Sequence, residues 1–232
     1  MIKFMLIAIL LGSTTLKLNA DGRHFVWTYE YQTMPRGEAE LETYTEFSHV
    51  ENDTGRFSTT TLQYEYEVGM TDKFDVGIYQ KFQQDSNGPL AYDGFKIRAR
   101  YRLGEKGRWI VNPLLYVEYK DNAAFDSSVL ETKLILTRDF NKLNLAFNPI
   151  VEFEFEEDET EIEFEFSGGL SYLLHPLLSL GLEAKGTGND LYWGPTISHG
   201  KNDLWFALGW LTPANKGQGA DRKIRFILGV GL

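Results

Sequence analysis

Between Phe95 and Leu103 every second residue is basic: Lys96, Arg98, Arg100 and Arg102 alternate with Phe95, Ile97, Ala99, Tyr101 and Leu103. Side chains two apart share one face of a β-strand, whereas a helix would scatter them. Carboxylates repeat with the same spacing elsewhere. Glu38, Glu40, Glu42, Glu46, Glu65 and Glu67 fall in two early segments, and Glu152, Glu154, Glu161, Glu163, Glu165 and Glu183 in later ones, alternating with apolar residues such as Val151, Phe153, Ile162 and Phe164. The chemistry open to such rows is electrostatic. A basic stripe facing acidic walls across water sets a transverse field that orients charged or dipolar solutes. The other reading is that the charges pair among themselves and fill an interior too narrow to conduct. Acid exceeds base in these rows, so full internal neutralisation is not expected, and Arg98→Gln is expected to leave folding nearly intact.

Catalysis asks for more than charge: a nucleophile, a base and a group orienting the base, all within hydrogen-bond reach. The four histidines are His24, His49, His175 and His199. Only His49 falls at an outer rim, beside Ser48, and adjacent strand residues point to opposite faces. No enzyme is expected. Without cysteine there is no thiolate site, and no acidic spacing matches a calcium loop, so neither metal nor cofactor is expected.

The elements that must carry these rows are strands throughout. Period-2 segments recur along the chain and no dozen residues keep helical spacing, giving an all-β class. Twelve strands are expected, at 38–48, 58–68, 74–83, 95–103, 109–120, 129–137, 143–156, 161–172, 178–185, 191–197, 204–211 and 222–232; the weak patterning of 178–197 leaves ten or fourteen open. Connections alternate between tight turns, such as Gly104 to Gly107, and Asp/Asn/Gly-rich tips, such as Asp85 to Gly88. That alternation is the periplasmic-turn, outer-loop asymmetry of transmembrane β-barrels, which have an even strand number.

The facing follows from cost. One Arg on the lipid side near the midplane costs roughly 2 to 4 kcal/mol, so the basic stripe and the glutamate rows face a lumen and the intervening apolar residues face lipid. Phe74, Trp109, Tyr119, Phe140, Tyr172, Trp193, Trp205 and Trp210 lie near strand ends, where interfacial aromatic belts belong. With 43% hydrophobic and 24% charged residues the chain is too polar for a helical membrane bundle, yet a barrel needs apolar side chains only at alternate positions.

The termini fit this class. Residues 1–20 hold a lone early Lys3 and an apolar run too short to span a bilayer, the pattern of a cleaved secretory signal. Residues 21–37 form an N-terminal periplasmic segment, whose alternation from His24 to Gln32 would suit either the periplasmic mouth or an extension of strand one. Residues 38–232 form the barrel. The last strand runs to the carboxyl terminus with Ile224, Phe226, Leu228, Val230 and Leu232 on one face, as expected where a final strand closes against the first. Losing Lys3 and Lys17 with the signal takes the net charge from −10 to −12, which disfavours nucleic acid. The expected partners are outer-membrane lipid, the barrel-assembly machinery and a small-molecule solute.

Three stretches resemble an outer-membrane family described as MetA-pathway phenol-degradation-like or transporter proteins: Thr33-Met-Pro-Arg-Gly-Glu-Ala-Glu-Leu-Glu42, Tyr66-Glu-Val-Gly-Met-Thr-Asp-Lys-Phe-Asp-Val-Gly77, and Trp193 through Gly209. The resemblance implies a Gram-negative outer-membrane barrel serving small-molecule passage, with no catalytic motif to carry over. Outer-membrane proteins most often end in Phe, where this chain has Leu232. The functional expectation is a passive channel for small polar or hydrophobic solutes with a charged lumen. The alternatives are a non-conducting structural or adhesion barrel and an outer-membrane lipid hydrolase.

Overall fold

Strands with one apolar and one polar face hide neither their edges nor their apolar face unless the sheet closes. Here it closes. The computed structural model describes residues 22–232 except 53–54, 157–158, 189, 202 and 216–219; the expected signal lies outside the described residues. The strands are β1 (Ala39–Asn52), β2 (Gly55–Thr71), β3 (Phe74–Asp85), β4 (Ala91–Arg102), β5 (Asn112–Asn122), β6 (Ser128–Phe140), β7 (Leu143–Phe155), β8 (Thr160–His175), β9 (Leu178–Thr187), β10 (Asp190–Lys201), β11 (Leu204–Pro213) and β12 (Arg222–Gly231). Each pairs antiparallel with its sequence neighbours, and β1 pairs with β12 from Glu40↔Gly231 to His49↔Arg222, so the sheet is a closed twelve-strand barrel. Closure satisfies every strand's backbone without an edge, the condition for crossing hydrocarbon.

Facing alternates as lipid demands. On β4, Ile97 and Tyr101 are exposed outside while Arg98 and Arg100 are buried inside. On β8, Ile162, Phe164 and Phe166 face out, Phe164 at 72% exposure, and Ser167 and Ser171 face in.

Two expected features differ. The connection after β4 is not a tight turn but the nine residues 103–111, and Trp109 and Ile110 stand on it, with Ile110 88% exposed. Gly104 and Gly107 both take positive φ there, at 77° and 81°, so the chain turns twice before β5 begins. Trp205 does not join an aromatic belt. It shares the inward face of β11 with Ala207 and Leu211 and is 1% exposed, while Trp210, of opposite parity, faces out.

The interior is not purely polar. Leu114, Ile135, Ala207, Leu211 and Ile227 point inward and are buried, because residues 22–37 lie against them rather than apart from the barrel. Val26 and Trp27 pack with Tyr44, Trp205, Ala207 and Ile227, while Tyr29 and Tyr31 pack with Leu114, Tyr116 and Ile135. Apolar inward positions thus have apolar partners, supplied by the segment before β1.

Candidate functional site

The lumen is the one place where the charged rows meet. Arg98 of β4 reaches toward β2, where its Nη2 lies 2.6 Å from Glu65 and 2.5 Å from Glu67. Arg100 pairs with Glu67 and, through Nε at 3.0 Å and Nη2 at 2.8 Å, with Asp75 of β3. Lys96 lies 3.1 Å from Glu118 of β5. Arg102, last of the stripe, donates to the Asp72 carbonyl in the β2–β3 turn and stacks its guanidinium over the Tyr31 ring. The stripe is therefore not a bare cationic wall, since each of the four groups meets an acceptor within one or two strands.

The register explains why. Antiparallel pairing sets Glu40 beside Glu67 and Glu42 beside Glu65, a like-charge juxtaposition that is unfavourable unless cations intervene. Arg98 and Arg100 supply the charge at one side. At the other, Arg23 from the N-terminal segment comes within 3.8 Å of Glu42, the Tyr44 hydroxyl lies within hydrogen-bond reach of both Glu42 and Glu65 (2.8 Å) with one proton to give, and the Trp205 indole donates to Glu40 at 2.5 Å. A second row runs Glu118↔Glu131, Glu131↔Glu152 and Glu152↔Glu163 across β5 to β8. Lys120 bridges it, 2.7 Å from both Glu131 and Glu152, and Lys133 lies 2.6 Å from Glu131.

The remaining expected positions divide by depth. Glu46 pairs with Arg225 (Nε, 2.6 Å) and accepts from the Trp27 indole at 3.2 Å. Glu165 lies 3.3 Å from Lys185. Glu38 sits at the start of the barrel, half-buried. Glu154, Glu161 and Glu163 stand toward the loop end of β7 and β8, where Glu154↔Glu161 face each other; Glu154 meets the Ser127 hydroxyl at 3.3 Å, and among the described residues no basic group pairs with Glu161 or Glu163. Glu183 of β9 does something different: its carboxylate accepts from the backbone N–H groups of Val26, Trp27 and Thr28.

Two cavities lie in the lumen, and Trp27 and Tyr29 border one of them. Toward the outer loops lies a cavity of about 290 Å³ whose walls include Lys96, Glu118, Lys120, Glu131, Lys133, Glu152, Glu165, Lys185 and Arg225, with Trp27 and Tyr29 among them. These wall positions come from the loop-side halves of β4 to β9 and β12, so the cavity is an outer vestibule. Toward the turns, a separate cavity of about 290 Å³ is bordered by His24, Pro176, His199 and Trp205. Lys185 and Arg225 were missed as lumenal groups although each lies two positions from another charge, Glu183 and Lys223, so the same period-2 alternation could have found them.

The histidines are dispersed. His24 bonds Glu30 within its own segment at 2.7 Å, and His175 and His199 stand at the turn end on the two strands that flank β9, each in register with Leu178. His49 does not pair with Ser48 but lies, through Nδ1, 3.0 Å from the Ser58 hydroxyl on β2. The cross-strand register His49↔Ser58 makes that contact, and among the described residues no carboxylate hydrogen-bonds the ring.

No family model and no curated protein matches the chain. Solved structures do. A KdgM porin in complex with disordered oligogalacturonate superposes with a TM-score of 0.57 at 10% identity, covering 83% of this chain and 97% of its own. The NanC porin gives 0.55 at 8% identity, covering 83% and 98%. At that identity the likeness is one of fold, and it agrees with the closed sheet, the apolar exterior and the charged interior: the chain is a twelve-strand transmembrane β-barrel that shares the fold of these porins.

Proposed function

We propose that the chain is a channel for small polar solutes in the outer membrane, with a charged outer vestibule and a path closed at mid-depth by residues 23–34. One observation carries this reading: the vestibule is walled by alternating acidic and basic side chains around open space, and its floor is Trp27 and Tyr29. Charged groups lining a cavity require water or a polar guest, so the outer half is built to be wet. The turn motifs that resemble the MetA-pathway family, and the likeness in fold to KdgM and NanC porins, support passage of small molecules as the use of that space. Neither extends to a named substrate.

Local pairing of Lys96, Arg98, Arg100 and Arg102 reduces the transverse field across the lumen. Selectivity is then set at the mouth, where Glu154, Glu161 and Glu163 face inward. The hydrolase reading has one contact behind it, His49 with Ser58, and among the described residues no third group orients the imidazole. Planar-bilayer recording of the purified chain tests the proposal: current steps in salt support a channel, and a permanently silent barrel favours the structural reading.

A further inference from the structure

Residues 23–34 form no strand or helix, yet wall side chains meet their main chain at successive points. The Glu183 carboxylate accepts the N–H groups of Val26 (2.9 Å), Trp27 (2.9 Å) and Thr28 (2.7 Å). Asn148 of β7 takes both sides of Tyr29, accepting from its N–H at 2.6 Å and donating to its carbonyl at 3.0 Å. The Thr137 hydroxyl of β6 accepts from Tyr31 N–H at 3.0 Å, and Asp75 of β3 from Met34 N–H at 2.9 Å. With Ser167 of β8 donating to the Trp27 carbonyl and Arg225 of β12 to the Val26 carbonyl, six strands contribute one polar group each, aimed at peptide groups. Main-chain groups are common to all residues, and the bend at 26–28 turns three successive N–H groups to one side, so these wall positions read backbone shape and not sequence.

The wall also leaves room for the segment. A Cβ on Gly169 of β8 would overlap the Phe25 ring, and one on Gly209 of β11 would overlap Val26. Between Gly22 and Met34, side-chain hydrogen bonds and packing do the holding, and no sheet ladder fastens the segment to the barrel. Bonds of that kind exchange for water at modest net cost each, which distinguishes this attachment from the cooperative ladder around it.

We propose that the inner half of the lumen is a binding site for bent polypeptide main chain, anchored on Glu183, occupied by the chain's own residues 23–34 and able to release them toward the periplasm. The consequence that release opens a path rests on the channel reading; the site itself does not. Glu183 is central because one carboxylate satisfies three consecutive donors, an arrangement neither an amide nor a hydroxyl reproduces.

Thiol accessibility tests this in the full chain. The protein has no cysteine, so Thr28→Cys, at a fully buried position, places a single thiol within the anchored stretch. A membrane-impermeant maleimide applied from the turn side should label it slowly. Adding Glu183→Gln, which sets an amide N–H against a backbone N–H, should raise the labelling rate about tenfold or more, whereas Asp126→Asn on an outer loop should leave it unchanged. Equal rates with and without Glu183→Gln, or no labelling in either protein, would overturn the proposal. Faster labelling with no current in the same protein would uphold the site and sink the channel. If Glu183→Gln fails to assemble, Phe25→Cys with Gly169→Cys supplies a reversible lock: its oxidation should slow amide exchange across residues 26–31, and identical exchange in oxidised and reduced protein would overturn release.

Discussion

Arg98 Nη2 and Glu65 Oε1 lie 2.6 Å apart inside the barrel, and each side chain is only 1% exposed. Two charges so deeply withdrawn from water hold one another's desolvation in check, and removing one strands the other. Arg98→Gln is therefore expected to destabilise the barrel by about 3 to 5 kcal/mol, the reverse of the tolerance that spacing alone suggested. The spacing reading took the lumen around Arg98 for water; the register instead brings Glu65 and Glu67 within reach. Denaturant titration of detergent-folded protein, followed by the mobility difference between folded and boiled forms, measures it. A shift under about 1 kcal/mol, typical of solvated pairs, would show that Arg98 is hydrated after all.

Ala99, next along β4, lies on the lipid side between Ile97 and Tyr101. Ala99→Arg should cost roughly 2 to 4 kcal/mol if it sits near the midplane, seen as loss of the heat-modifiable folded band. Tolerance of arginine at Ala99 would place lipid elsewhere.

Gly169 faces inward against the Phe25 ring. Gly169→Ala should push the ring off the wall and weaken docking of the N-terminal segment by roughly 1 to 3 kcal/mol, the usual cost of overpacking, with little effect on strand pairing. Protease accessibility of residues 23–34 in otherwise folded barrels reads it. Combining it with Phe25→Ala should restore protection in part, and protection unchanged by Gly169→Ala alone would contradict the packing.

The pair His24 and Glu30 gives the segment a pH dependence. The Glu30 carboxylate holds the His24 pKa above its ordinary value of 6.5, against burial and with a smaller favourable contribution from Asp139 and an opposing one from Lys106. Burial alone would raise Glu30, but the His24 charge and hydrogen bonds hold it below 4.5. Stabilisation from the raised histidine is complete below about pH 6.5 and is lost as pH rises through its folded-state pKa; that from the lowered carboxylate is present above about pH 4.5 and lost as pH falls through its folded-state value. The segment should be held tightest between those limits. Thiol labelling at Thr28→Cys, divided at each pH by the rate of a free thiol because only the thiolate reacts, should be slowest near pH 5 to 6 and quicken toward pH 8, and His24→Ala should flatten the normalised profile. A profile that His24→Ala leaves unchanged would assign the effect to another group.

The barrel itself was legible because alternation is a strand's own property, and a lone Arg or Glu fixes which face meets lipid. Strand number and most boundaries followed, as in β7, read at 143–156 and found at Leu143–Phe155. Partnerships were not legible, since they depend on register between strands. Glu42 beside Glu65 and Glu131 beside Glu152 are each one residue's slip from having no such neighbour. Nor did periodicity place the segment from His24 to Gln32. Its alternation suits a strand, but its backbone is satisfied by Glu183, Asn148 and Thr137, residues more than a hundred positions away. The inward Leu114, Ile135 and Ala207 were the available hint, as apolar positions on a lumenal face require something to cover them.

The charge at the mouth gives the central claim its most direct test. Glu154, Glu161 and Glu163 face the outer opening, while the basic stripe is neutralised deeper in, so an open channel should favour cations. The measurement is the reversal potential of the purified chain in a planar bilayer under a salt gradient, repeated at rising ionic strength, where the Debye length falls from ~10 Å at 0.1 M to ~3 Å at 1 M. A reversal potential of the cation-selective sign that shrinks with salt is the predicted result; anion selectivity, or no current even after Glu183→Gln, would contradict it.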